Sequence, residues 1–351
     1  MAGSVVPALA CPLPIATNTH VVLGHGSGGR LSAELMRDIF LPAFGNAALD
    51  RLDDQAILEM GSGRIAFSTD SFVVKPLFFP GGNIGELAIY GTINDLAVGG
   101  AEPKYLSASF ILEEGLPLEL LARIVTAMSA AAKRAGVSIV TGDTKVVERG
   151  SGDQVFINTS GIGCVPQGLQ LSASLVRPGD HILLSGPLGD HGITILSQRE
   201  GLEVDGDLKS DAAPLYSLAQ AVLRAAPNAR CMRDLTRGGL SSALNEIAGS
   251  ARVGMEIDER KIPVREAVRG ACELFGLDPL YVANEGKLIA VVPAEEAGAT
   301  LAAMRSNEAG ADATDIGVAT ENHVGLVTMR TALGTMRVVD MLAGDQLPRI
   351  C

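Results

Sequence analysis

Apolar residues in this chain fall in short blocks of two different periods, and blocks of both kinds recur on either side of a proline- and glycine-bearing stretch at 166–179. Such a distribution fits neither a helical bundle nor a pure sheet sandwich, because each half must pack helices against strands around its own core. In the first half, Arg64–Lys75 has strand character and stops at Pro76 and the turn formers Pro80, Gly81 and Gly82. Ile84–Val98 reads as a helix, and Leu118–Ala135 as a clearer one with Leu121, Ala122, Val125 and Met128 on its stripe. Val137–Thr141 and Val155–Ile162 return to strand. In the second half, His181–Leu184 is a strand, followed by a glycine-rich turn and a helix from about Gly192. Leu240, Ala243, Leu244, Ile247 and Ala248 fall at helical spacing, while Leu288–Val292 and Val324–Met329 read as strands. The expected fold class is mixed α/β (α+β), in two domains at 23–165 and 175–339. A loose arm at 1–22 and a mobile tail at 340–351 complete the division.

Composition removes several function classes. Lys and Arg number 28 against 40 Asp and Glu, a net charge of −12, which argues against nucleic acid as a partner. With 47% apolar and 19% charged residues, global disorder is excluded. No uninterrupted apolar run reaches the ~18 residues of a membrane span. Met1–Thr19 lacks the basic start of a signal peptide, so the expected location is the cytoplasm. The five cysteines are dispersed and odd in number, which supports neither a zinc site nor a disulfide framework.

Four groups of residues carry chemistry. Gly24-His25-Gly26-Ser27-Gly28-Gly29 satisfies a dinucleotide-type G-x-G-x-x-G, but turns follow Phe44 where a second parallel strand should lie. A plain structural loop and a phosphate-contacting loop both remain open, the latter because glycines let backbone N–H groups approach an anion. Second is a dispersed set of aspartates: Asp70 within a strand, Asp143 ending the strand before Thr144 and Lys145, and the early pair Asp53-Asp54. Asp95 is the sharpest, since it shares the face of Ile84, Leu87, Ala88 and Gly91. A buried unpaired carboxylate costs several kcal/mol, roughly, so such a set suits Mg²⁺, although each aspartate alone also reads as a cap. Third, Thr236 or Asp234 is expected to cap the helix starting near Gly239, and Gly238, Gly239 and Arg237 would make its N-terminus an anion site. A plain capped helix reads equally well there, and His191 reads as a polar loop residue. Fourth is Cys351, after Pro348-Arg349-Ile350. It is too polar in setting for a core cysteine and misplaced for C-a-a-X lipidation, which leaves a swinging carrier thiol.

These motifs together resemble a known family. GHGSGG at 24–29, STDSFVV at 68–74, NDLA at 94–97, GDTKVV at 142–147, SGPLGDHG at 185–192, RDLTRGGL at 233–240, NEGK at 284–287 and PRIC at 348–351 are similar to the HypE carbamoyl dehydratases of [NiFe]-hydrogenase maturation. That family lies within the ATP-using enzymes related to aminoimidazole ribonucleotide synthetase. The resemblance implies the two-domain synthetase-like fold and a homodimer with ATP near the N-terminal domains. It implies that HypF loads a carbamoyl group on Cys351, that ATP drives its dehydration to a thiocyanate, and that cyanide passes to the HypC–HypD complex. Carried over, Asp70, Asp95 and Asp143, with Asp54 nearby, would hold Mg²⁺–ATP. Lys145 and Glu285 match positions that assist dehydration. Two other readings compete with it: a selenophosphate synthetase-like enzyme using Cys11, and a scaffold without catalysis.

Overall fold

The protein is represented by a computed structural model that describes residues 29–35, 37, 49–54, 56–60, 63–202 and 207–342. The expected arm, glycines 24, 26 and 28, Cys11 and Cys351 lie outside the described residues. In chain order the elements are α1 (Arg30–Leu35), β1 (Ala56–Met60), β2 (Gly63–Phe72), β3 (Phe78–Phe79), β4 (Gly82–Asn83), α2 (Ile84–Val98), β5 (Glu102–Glu113), α3 (Leu118–Ala135), β6 (Ser138–Val147) and β7 (Val155–Val165). The second half contains β8 (His181–Leu184), α4 (Asp190–Glu200), α5 (Tyr216–Ala225), β9 (Cys231–Asp234), α6 (Gly239–Ala251), β10 (Gly254–Asp258) and α7 (Glu266–Phe275). It ends with β11 (Leu288–Val292), α8 (Ala294–Arg305), β12 (Thr314–Thr320), β13 (Val327–Arg330) and β14 (Met336–Val339).

The first sheet has the order β1-β2-β7-β5-β6. Only β5 and β6 run parallel, because helix α3 carries the chain back between them. Ala66, Ser68 and Phe72 of β2 and Val155, Ile157 and Thr159 of β7 are buried against α2 and α3. The opposite face is open: Phe67, Ile162 and Tyr105 stand in one cross-strand row and are 41%, 39% and 52% exposed. The second sheet has the order β14-β13-β10-β12-β8-β11-β9, and its strands β8 and β11 are covered on both faces. Alternation within one apolar run feeds both layers: Ile289 and Val291 pack under α6, while Leu288, Ala290 and Val292 pack with α5 and α8.

Helix α2 joins the two halves. Asn83 caps it, its side chain accepting from Gly85 N at 2.9 Å and Glu86 N at 3.1 Å. Leu87, Ile89 and Ile93 enter the first core, whereas Ala97 and Val98 enter the core of the second sheet. The helix is therefore buried nearly all round instead of along one stripe. The stripe expected for α3 is corrected. Ile124, Met128, Ala131 and Ala132 are buried, whereas Val125 is exposed and Leu121 is only partly covered. The helix is rotated toward Ile124 because that residue meets α2 at Gly85, whose missing Cβ allows the close approach.

Candidate active site

Five acidic side chains converge where the two halves meet. Asp54 follows a short turn, Asp70 lies on the inner face of β2, and Asp95 sits in the last turn of α2. Asp234 ends β9, and Glu285 lies in the bend before β11, the strand paired with β9. Ser68 donates to Asp95 Oδ2 at 2.6 Å and to the Asp54 carbonyl at 3.2 Å. Arg233 ion-pairs with Asp54 across the junction, donates to Leu52 O at 3.1 Å and reaches Glu246 at 3.2 Å. Arg237 lies 3.8 Å from Asp70.

Burial is the main force on these groups. It pushes the Asp54 and Asp70 carboxyls up, against the pull of Arg233 and Arg237 respectively. It holds Asp95 well above the ordinary range, reinforced by Asp70, Asp234 and Asp54. Asp234 is raised in the same way, with Asp54 and Asp70 adding to its burial. Glu285, 4% exposed, is held well up by burial and by Asp211, Asp234 and Asp70. Too many carboxylates share too little water, so the cluster is suited to a cation.

The backbone around Glu285 is tightly fixed. Asp211 accepts from Glu285 N at 3.0 Å, Gly286 N at 3.2 Å and Lys287 Nζ at 3.0 Å. Asn94 Nδ2 donates to Ala213 O at 3.0 Å, and Asn94 Oδ1 accepts from Leu215 N at 2.8 Å. Asn284 accepts from Gly189 N at 2.8 Å. Sequence reasoning missed Asp211, Asn94, Arg233 and Ser68 as site residues. Asn94 and Arg233 stand beside chosen aspartates in NDLA and RDLTRGGL, but Asp211 carries no comparable signal.

Helix α6 starts differently from the expectation. Neither Thr236 nor Asp234 caps it; Gly238 occupies the cap with φ 80° and gives no side-chain bond. Gly239 also has positive φ, and a Cβ there would meet Leu280 O at 2.6 Å. The α6 N-terminus thus follows directly on Arg237, which reaches the acidic cluster at Asp70, and a helix N-terminus beside an arginine is chemically suited to phosphate. His191, expected in a loop, is instead buried in the first turn of α4 and lies 2.8 Å from Ser210 Oγ.

Three predicted residues are not brought to this cluster within one chain. β6 runs on to Val147, so Asp143 lies mid-strand instead of ending the strand. Asp143, Thr144 and Lys145 are exposed on this edge strand, three strand spacings from β2, or about 14 Å. The register Asp143–Ser109–Asn158–Ser71 places Asp143 on the open face, and Lys145 shares it, whereas Asp70 faces α2. Among the described residues, no three His, Cys, Asp or Glu side chains are already gathered as a metal site. Mg²⁺ needs only one or two protein carboxylates beside phosphate and water. Asp234 Oδ2, buried without a partner, and the neighbouring Asp70 and Asp95 fit that requirement.

Residues 52–165 match the family described as AIR synthase related protein, N-terminal domain, and 177–329 match its C-terminal domain. Fold and site thus define an AIR synthase related protein with two mixed α/β domains, as the sequence led us to expect. Carbamoyl dehydratase HypE of Azotobacter vinelandii is 57% identical over 334 residues, 95% of this chain and 98% of that protein. The chain belongs to the HypE family of carbamoyl dehydratases. A hydrogenase maturation protein HypE solved in complex with ATP is 49% identical, with TM-score 0.80, covering 95% of this chain and all of that one. A chain of a solved HypE–HypF complex is 47% identical, with TM-score 0.83, covering 88% of this chain and 99% of that one. No helix among the described residues is long and apolar enough to cross a membrane.

Proposed function

We propose that this chain dehydrates a carbamoyl group carried on Cys351 to a thiocyanate, using ATP. The reading is carried by 57% identity to a carbamoyl dehydratase over nearly the full length of both chains. The balance is R–S–C(=O)NH₂ + ATP → R–S–C≡N + ADP + phosphate + H⁺. The carboxamide oxygen attacks the γ-phosphorus, ADP leaves, and the C–O bond then breaks with phosphate as the leaving group while the nitrogen gives up its protons.

The residues divide this work. The α6 N-terminus with Gly238, Gly239 and Arg237, together with the loop at Gly24, Gly26, Gly28 and Gly29, binds phosphate oxygens. Asp54, Asp70, Asp95 and Asp234 form the acidic floor that would hold Mg²⁺, which when bound offsets charge on the transferring phosphoryl group. Glu285 takes a proton from the amide nitrogen; its buried, raised carboxyl is a stronger base than an exposed one. Asp143, Thr144 and Lys145 join the site from a second copy of the chain. The open sheet face bearing Phe67, Ile162 and Tyr105 supports that homodimer. HypF is the carbamoyl donor and the HypC–HypD complex the cyanide acceptor, in the cytoplasm.

Intact mass spectrometry of carbamoyl-loaded chain before and after Mg²⁺–ATP tests the reaction. The C-terminal peptide should lose the mass of one water, and retention of that mass refutes the reading. Light scattering at micromolar concentration should give twice the chain mass of 36.3 kDa, whereas a monomer would remove the proposed route for Asp143 and Lys145.

A further inference from the structure

The chain leaves its last strand at Val339, yet the next residues are not released. Asn245 Nδ2 donates to Val339 O at 2.9 Å, and Ser241 Oγ donates to Asp340 O at 2.6 Å. Arg30 N donates to Leu342 O at 2.9 Å, where the backbone of Gly29 comes so close that a Cβ would stand 2.3 Å from that oxygen. Three carbonyls beyond or at the end of β14 are thus held by donors outside the sheet. Ser241 is fully buried and Asn245 lies one turn further along α6, with its amide also bonded to Ser241 O at 2.9 Å. Ser241 is two residues from the start of α6, a rise of about 3 Å, so these bonds tie the segment close to the phosphate end of that helix.

We infer that Ser241 and Asn245 are positioning residues for the dehydration: they fix Val339–Leu342 as the root from which residues 343–351 carry the Cys351 thiol to Glu285. The inference rests on Cys351 being the carrier. From Leu342 to Cys351 the chain advances nine residues, a reach of at most about 31 Å. The step is intramolecular, so its rate depends on where the tether starts and how long it is. A root released back to Val339 lengthens the tether to twelve residues and lowers the effective concentration about 1.5-fold. Loss of a fixed starting point and direction adds to this.

The test uses the full-length Ser241→Ala/Asn245→Ala variant. Single-turnover thiocyanate formation on its own Cys351 should fall by more than the 1.5-fold of tether lengthening alone, with ATP affinity unchanged and a melting temperature lower by a few degrees, because three hydrogen bonds are lost. Ser241→Thr, which keeps the hydroxyl, should restore most of the loss contributed by that position. The same pair of substitutions is then placed in a Cys351→Ala chain and supplied with an S-carbamoylated peptide of residues 343–351. Here the root no longer matters, and the rate should equal that of Cys351→Ala alone. An equal fall in this peptide reaction would mean that the substitutions damage the site itself and would overturn the inference. So would intramolecular rates within 1.5-fold of the parent. A parent chain that never loses water from Cys351 overturns the carrier reading and this inference together, whereas a working parent with an equally fast variant overturns the inference alone.

Discussion

Replacing Glu285 by Gln separates catalysis from folding at this site. The bonds that hold this segment run to its backbone: Glu285 N to Asp211 at 3.0 Å and Asn94 Nδ2 to Glu285 O at 3.4 Å. Volume is conserved and a buried charge is removed. The sign of the stability effect follows. Burial raises the folded carboxyl above its unfolded value, so the native chain holds the proton more tightly. Stability of the parent relative to the variant is therefore greatest below the unfolded pKa and is lost as pH rises through the folded one. The variant should melt no lower than the parent at pH 8. Loss of a general base costs about 10² to 10⁴ in rate, equivalent to ~2.7 to 5.4 kcal/mol of barrier. Single-turnover thiocyanate formation from carbamoyl-loaded chain reads that loss, and calorimetry should show unchanged ATP affinity. A rate within threefold of the parent would refute the role of Glu285 as base.

Asp95→Asn should weaken Mg²⁺–ATP binding about tenfold or more while raising the melting temperature near neutral pH, because burial beside Asp70, Asp234 and Asp54 disfavours the ionised carboxyl; unchanged nucleotide affinity would remove its role at the metal. Cys351→Ala should retain fold and ATP affinity and lose carbamoyl acceptance, and a persisting adduct by mass spectrometry would assign the carrier to another cysteine. Asp190→Asn tests the electrostatics at the first turn of α4. Burial pushes the Asp190 carboxyl up to about 6 despite Arg265 at 3.2 Å. The native state binds this proton more tightly than the unfolded chain, so the parent should lose stability relative to the variant between about pH 4 and pH 6. A melting-temperature difference that stays constant from pH 4.5 to 7.5 would contradict that.

The amino-acid sequence by itself determined the local elements and much of the chemistry. Periodicity is a local property, so Ile84–Val98, Leu118–Ala135 and Leu288–Val292 read correctly as helix, helix and buried strand. Asp95 was conspicuous for the same reason, as a charge at helical spacing among core residues. What surrounds an element is not local. α2 is buried nearly all round because it serves two cores, and no stripe in its own residues signals the second one. The α3 stripe came out rotated because Ile124 packs at Gly85, a contact set by a different helix. The site followed the same division. Asp54, Asp70, Asp95, Asp234 and Glu285 were each legible from residue type and motif, yet only the packing of one domain on the other brought residues 54 and 234 within mutual electrostatic reach. Strand parity likewise separated Asp143 and Lys145 from Asp70, since alternate residues face opposite sides of a sheet and register depends on the neighbouring strands. Asp211 shows the limit most clearly. Its carboxylate orders the backbone at Glu285 from 74 residues away, through contacts that exist only after both segments have docked.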